Sequence, residues 1–156
     1  MKNIFCFGFG QVAKYFIKKL KSENFSFNLS TTSREKTRNN KFENIEYKNF
    51  YLKNDNFDKD LLKELKKANY ILVSVPPIDN NDIVIKTFKE QMNSKNIEWI
   101  TYLSATSVYG NHYGEWVNEK SSTNPTSKNG VDRLKAEKLW LDLSNQINLP
   151  LQIFRL

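Results

Sequence analysis

The strongest constraint in this sequence is a repeated change of period. Six short runs rich in apolar residues, over 1–7, 25–31, 45–50, 70–75, 99–103 and 151–155, read as strands. Most of the stretches between them repeat their apolar residues every three or four positions instead. Ile4-Phe5-Cys6-Phe7 ends at Gly8 and reads as a buried strand. Ala13, Phe16, Ile17 and Leu20 then share one face of a helix over 11–21. Further helices are expected over 58–67, around Leu61, Leu62, Leu65 and Ala68, and over 81–92, burying Val84, Ile85, Phe88 and Met92. A last helix over 131–145 turns Ala136, Trp140, Leu143 and Ile147 inward. Pro76-Pro77 stops the fourth strand and Pro150 breaks the last helix. Residues 32–41 are polar and basic and read as a loop, and 104–129, rich in Gly, Ser, Thr, Pro and Asn, as a long functional one. The connections look too long for hairpins, which predicts parallel strands joined by helical crossovers. Right-handed crossovers make this a doubly wound α/β sheet of about six strands. Its ligands belong at the carboxyl ends of the strands, where the strand order reverses.

Composition narrows the class. A chain of 156 residues is expected to form one domain over 1–156. Eleven Phe, seven Tyr and three Trp supply enough apolar area to offset chain entropy, which argues against disorder. No apolar run approaches the ~18 residues of a membrane span, and the apolar start breaks at glycines, unlike a secretory signal. Cys6 and His112 each stand alone, which leaves no disulfide framework and no expected metal site. The expected setting is the cytoplasm, with no membrane partner. Lys and Arg total 24 against 17 Asp and Glu, an excess of +7 that raises a nucleic-acid reading marked by steep salt dependence. The charge is spread, however: Lys18, Lys19 and Lys21 lie on one helix and Lys63, Lys66 and Lys67 on another. Solvated helix faces explain that pattern, and no nucleic-acid partner is expected.

Two segments carry binding chemistry. Gly8-Phe9-Gly10-Gln11-Val12-Ala13 is a G-x-G-x-x-A between a strand and a helix. Gly8 suits a tight turn, Gly10 a close approach of backbone to a pyrophosphate, and Ala13 close packing of helix on sheet. The free N–H groups around Gln11 and Val12, with the helix dipole, then hold the anion. A dinucleotide site of this kind places an acid after the second strand to bond the ribose. Here Thr31-Thr32-Ser33-Arg34 stands there, with no acid before Glu35. Ser33 and Arg34 suit a 2′-phosphate, which favours NADP over NAD, with Arg38 a weaker second candidate.

Further pieces agree in order along the chain: Ser74-Val75-Pro76-Pro77, Tyr102-Leu103-Ser104-Ala105-Thr106-Ser107-Val108-Tyr109-Gly110, Trp116 to Glu119, Asn124-Pro125, Arg133 to Glu137 and the final strand. With the glycine turn, they resemble the extended short-chain dehydrogenase/reductase family, especially its atypical epimerase/dehydratase-like branch. The resemblance covers nearly the whole chain. It implies an NAD(P)-binding Rossmann domain with Val75, Pro76 and Pro77 beside the adenine or ribose, and Ser104, Ala105 and Thr106 beside the nicotinamide ribose. It also implies a small-molecule substrate such as a nucleotide-sugar, and hydride chemistry at a hydroxyl-bearing carbon. Relatives often dimerise through helices on one face of the sheet, so a homodimer through the helix from Val131 is a further expectation. Relatives continue past Phe154-Arg155-Leu156 into a segment that supplies much of the substrate pocket. The chain is therefore read as a natural half or an incomplete copy, lacking most of that segment.

The family's reaction uses a Ser or Thr, a Tyr acid/base and a Lys that lowers the Tyr pKa. This chain departs at all three, with Ala105, Asn129 and Arg133 at the matching positions. Asn129 has no tunable proton, and Arg133 does not release one but can bond a ribose or phosphate. Thr106, Tyr109 and Arg133 are the catalytic candidates that remain, with Tyr113 and His112 nearby. The departures keep a second reading open, a catalytically inactive dinucleotide-binding or sensor protein. Trp116 is expected to cover the long loop's own core, with the lining of a substrate pocket as the other reading, Cys6 to be packing, and Glu119 and Glu137 to be caps or ion-pair partners.

Overall fold

The computed structural model describes residues 1–93 and 95–156. The order is β1 (Lys2–Phe7), α1 (Gln11–Ser22), β2 (Phe27–Ser33), β3 (Arg38–Phe42), β4 (Ile45–Lys53), β5 (Asn56–Phe57) and α2 (Asp60–Lys67). Then come β6 (Tyr70–Val73), α3 (Ile83–Phe88), β7 (Trp99–Ser104), α4 (Lys128–Ile147) and β8 (Leu151–Arg155). The strands lie in the order β3-β4-β2-β1-β6-β7-β8, with β5 paired to β4. Pairing is parallel from β4 through β2, β1, β6 and β7 to β8. Six parallel strands therefore form the expected doubly wound sheet. The chain steps one way from β1 to β4 and the other way from β6 to β8, so the order reverses between β1 and β6.

Alternation along β1 divides the core. Ile4 and Cys6 pack with Ala13 and Ile17 of α1, while Phe5 and Phe7 face Leu61 and Leu65 of α2, Phe88 of α3 and Trp140 of α4. Trp140 is fully buried, stacks on Tyr102 at 5.9 Å between centroids, and donates its indole N–H to Asp82 at 2.9 Å. Asp82 also caps α3 by accepting from Val84 N and Ile85 N. After Phe88 the expected helix tightens into a 3-10 turn over Lys89–Met92. Asn148, left-handed at φ 52°, ends α4 just before Pro150.

The expected loop over 32–41 proved partly wrong. β2 continues to Ser33, and β3 forms a hairpin with β4, Phe42 opposite Ile45. Glu43 and Asn44 between them both have positive φ, the geometry whose twist suits a two-residue hairpin. Arg38, Asn39, Asn40 and Lys41 carry no apolar signal because β3 is an exposed edge, where charge discourages further pairing. β4 also runs three residues past the expected end, since Leu52 is buried and pairs with Phe57. Among the described residues no helix is long and apolar enough to cross a membrane.

Candidate functional site

A cleft of about 520 Å³ opens at the carboxyl edge of the sheet where the order reverses. That volume lies within the range of small-molecule sites. Gly8 and Gly10, Ser33 and Arg34, Lys53, and Val75 and Pro76 all line it, brought together from the ends of β1, β2, β4 and β6.

The two glycines do different jobs. Gly8 has φ +83°, and a Cβ there would lie 2.7 Å from Ser74 Oγ and 3.1 Å from Val75 Cγ2. Its N–H donates to Thr32 Oγ1 at 2.9 Å, while Ser74 Oγ donates to Phe7 O at 3.1 Å, so both neighbouring strand ends clamp the turn. A Cβ on Gly10 would meet nothing within 4 Å. The protein's own packing does not demand glycine there; an approaching ligand would. Gly10 also caps α1 without a side-chain bond, and no acid lies in the helix's first turn. The positive end of the helix, with exposed Gln11 and Val12, is uncompensated by the chain itself.

A relay sets Ser33. Thr31 Oγ1 donates to Asn49 Oδ1 at 3.1 Å, and Asn49 Nδ2 donates to Ser33 Oγ at 2.9 Å. Glu35 N donates to the same oxygen at 3.1 Å, so Ser33 accepts twice and keeps its hydroxyl proton for another acceptor. Arg34 is exposed and has no hydrogen-bond or ion-pair partner among the described residues. The nearby Glu35 is taken by Arg38.

Pro77, Ser104, Ala105, Thr106, Tyr109 and Arg133 lie outside the lining of this cleft. Pro77 is buried, Ala105 half-buried and Asn129 exposed in the first turn of α4. Arg133 Nη1 donates to Leu103 O, and Thr106 Oγ1 donates to Leu156 O at 3.4 Å. Tyr109 is buried, with the Arg155 guanidinium 4.7 Å above its ring. Among the described residues, the buried Ser104 hydroxyl has no hydrogen-bond partner. Burial, and then the Asp82 carboxylate, push the Tyr102 phenol well above its ordinary range, with Arg133 pulling the other way.

Other candidates resolve plainly. Glu137 is an ion-pair partner, its carboxylate accepting from Arg155 Nε at 3.1 Å and Nη2 at 2.8 Å. Cys6 is packing, and burial pushes its thiol up to about 12. His112 Nε2 lies 3.1 Å from Ser122 O and staples the long loop. Trp116 does not cover a core: it is 99% exposed, and its neighbours Glu115 and Asn118 are exposed too.

Sequence reasoning missed Thr32, Lys53, Asp55, Asp79 and Lys86, which also line the cleft. A third strand that ends at Phe50 leaves Lys53 outside the sheet. The one available signal was the apolar Leu52, which extends the strand.

Solved structures share this fold. A functionally unknown conserved protein from Silicibacter pomeroyi matches 100% of the chain with a TM-score of 0.79 at 25% identity. UDP-glucuronic acid 4-epimerase from Bacillus cereus, in complex with NAD, matches 99% with a TM-score of 0.76 at 17% identity. UDP-N-acetylglucosamine 4-epimerase from Bacillus cereus matches 99% with a TM-score of 0.74 at 18% identity. The fold is the Rossmann-like fold of these epimerases. The chain spans about half the length of each, 52%, 56% and 53% in that order. No family model and no curated protein matches the chain.

Proposed function

We propose that the cleft binds a nicotinamide dinucleotide, NADP in preference to NAD, as the cofactor-binding part of an epimerase/dehydratase-like oxidoreductase. Its substrate would be a sugar or similar small molecule reacting at a hydroxyl-bearing carbon, in the manner of a nucleotide-sugar. The supporting observation is the convergence of Gly10, Ser33 and Arg34 on one cleft at the strand-order reversal, each with its binding capacity unspent.

The residues present fit such a group. Gly8, Gly10 and the first N–H groups of α1 would hold the pyrophosphate. Ser33 and Arg34 would hold the adenosine phosphate, and Val75 and Pro76 would lie against the adenosine. When bound, the dinucleotide supplies a hydride donor or acceptor. The chain's own part in the second half of the site is positional. Arg133, tied to the Leu103 carbonyl at the end of β7, stays charged and can orient a ribose or phosphate. Neither it nor Asn129 exchanges a proton near neutral pH, so the acid/base group of this reading is Tyr109 or a group from outside the matched positions. A cytoplasmic setting and pairing of two copies through α4 belong to the same proposal.

Calorimetric titration with NADPH and with NADH tests the reading. Tighter NADPH binding, weakened by Arg34→Ala, is the expected result. Binding of neither would overturn it. Consumption of NADPH with carbonyl substrates then separates a working enzyme from a protein that only binds the cofactor.

A further inference from the structure

The rim of the cleft carries three cations, Arg34, Lys53 and Lys86, and two carboxylates, Asp55 and Asp79. Both carboxylates are already neutralised. Lys86 Nζ lies 2.9 Å from Asp55 Oδ2, and Asp79 is paired with Lys128. What remains among the described residues is Arg34 and Lys53, two positive charges with neither hydrogen-bond nor ion-pair partner. Topology brings both to one edge of the sheet. β2 and β4 are adjacent and parallel, with Ser33 opposite Tyr51, so the chain leaves both strands on the same edge, at Arg34 and Lys53. Ser33, which accepts from Asn49 and Glu35 and keeps its own hydroxyl proton, lines the same cleft.

We propose that Lys53 is a specificity-determining residue that, with Arg34 and Ser33, forms a subsite for the phosphate monoester on the adenosine ribose. The proposal rests on the dinucleotide reading and adds to it a residue from a different strand. A phosphate monoester carries about −1.5 to −2 charges near neutral pH, which one arginine balances only in part and two cations match. The roles differ in kind. Arg34 offers a planar fork for two oxygens, and Lys53 a mobile point charge that approaches from the β4 side. When the ribose carries only hydroxyls, the same pair finds no anion on the ligand, and Glu35 after β2 is already held by Arg38. Both cations are exposed, so their contribution is screened by salt.

The test compares NADPH with NADH, and adenosine 2′,5′-bisphosphate with 5′-AMP, on the wild-type chain, Lys53→Gln and Lys53→Glu at low and high salt. The second pair of probes isolates the adenosine half of the ligand. Lys53→Gln is expected to lower the preference for the phosphorylated member of each pair roughly tenfold, the worth of one charge-assisted hydrogen bond. Lys53→Glu is expected to lower it further, and high salt to shrink the wild-type preference. Thermal melting of both variants, whose site is exposed, confirms that they fold. An unchanged preference in Lys53→Gln, while the wild type still favours the phosphorylated ligands, overturns the proposal and leaves the dinucleotide reading intact. Equal wild-type binding within each pair overturns the subsite altogether. Binding of none of the four overturns the dinucleotide reading as well.

Discussion

Gly10 and Gly110 stand in opposite surroundings. A Cβ on Gly10 would enter open space, whereas one on Gly110 would lie 1.8 Å from the Asn124 carbonyl oxygen. The contrast holds for the regions around them. At the cleft, Arg34, Lys53, the Ser33 hydroxyl proton and the first N–H groups of α1 are uncommitted among the described residues. In the long loop and the helix behind it, groups are spent on the chain itself. Thr106 bonds Leu156, Arg155 bonds Glu137, and a Cβ on Gly130 would lie 2.5 Å from Ser107 O. Unspent donors point to a ligand; spent ones build the scaffold that holds the sheet ends in place.

The scaffold side should break first and hardest. Glu137→Ala removes the partner of a mostly buried guanidinium and should cost about 3–5 kcal/mol. Urea denaturation measures it, and a loss under 1 kcal/mol would show that water reaches Arg155 freely. Next, Gly110→Ala puts a side chain at φ +74° against a backbone carbonyl and should cost about 2 kcal/mol or more. The matching change on the cleft side should behave differently. Gly10→Ser meets no neighbour and can cap α1, so stability should move by only a few tenths of a kcal/mol. Its hydroxyl occupies the donors assigned to the pyrophosphate, so NADPH affinity should fall at least about tenfold. Unchanged affinity in that variant would remove Gly10 from the binding assignment.

A smaller effect sharpens the comparison through pH. Burial raises the Asp82 carboxyl above its ordinary range, against the opposing bonds from Ile85, Trp140 and Val84. The folded state therefore holds that proton more tightly than the unfolded chain does. The associated stability is fully present below the unfolded value of about 3.9 and is lost as pH rises through the folded one. Wild type should accordingly gain stability relative to Asp82→Asn as pH falls from 7 to 4. A difference that does not change over this range would mean Asp82 is solvated.

Much of the fold was legible because period survives in the sequence. Ala13 and Ile17 on one face, or Phe5 and Phe7 against Ile4 and Cys6, declare helix and strand before any packing is known. The parts that escaped lacked such a signal. β3, with Arg38, Asn39, Asn40 and Lys41, is held by pairing with β4 and by a turn at Glu43 and Asn44, and neither leaves an apolar pattern. Trp116 misled for the converse reason: a large apolar side chain suggests burial, yet nothing beneath the loop receives it. The glycine turn was readable because its residues are contiguous. Lys53 was not, since its place at the same sheet edge as Arg34 depends on where β4 ends and which strand it adjoins.

The sequence alone thus determined the doubly wound order of elements and the presence of a glycine turn followed by a basic strand end. Those follow from local period and from the conformations open to glycine, which act over a few residues. Tertiary structure decided which charges remain unpaired and which glycines face open space. Ion pairing joins Lys86 to Asp55 and Lys128 to Asp79 across 31 and 49 positions of chain. Only the assembled sheet brings such groups within reach, and only then does the cleft show an excess of positive charge.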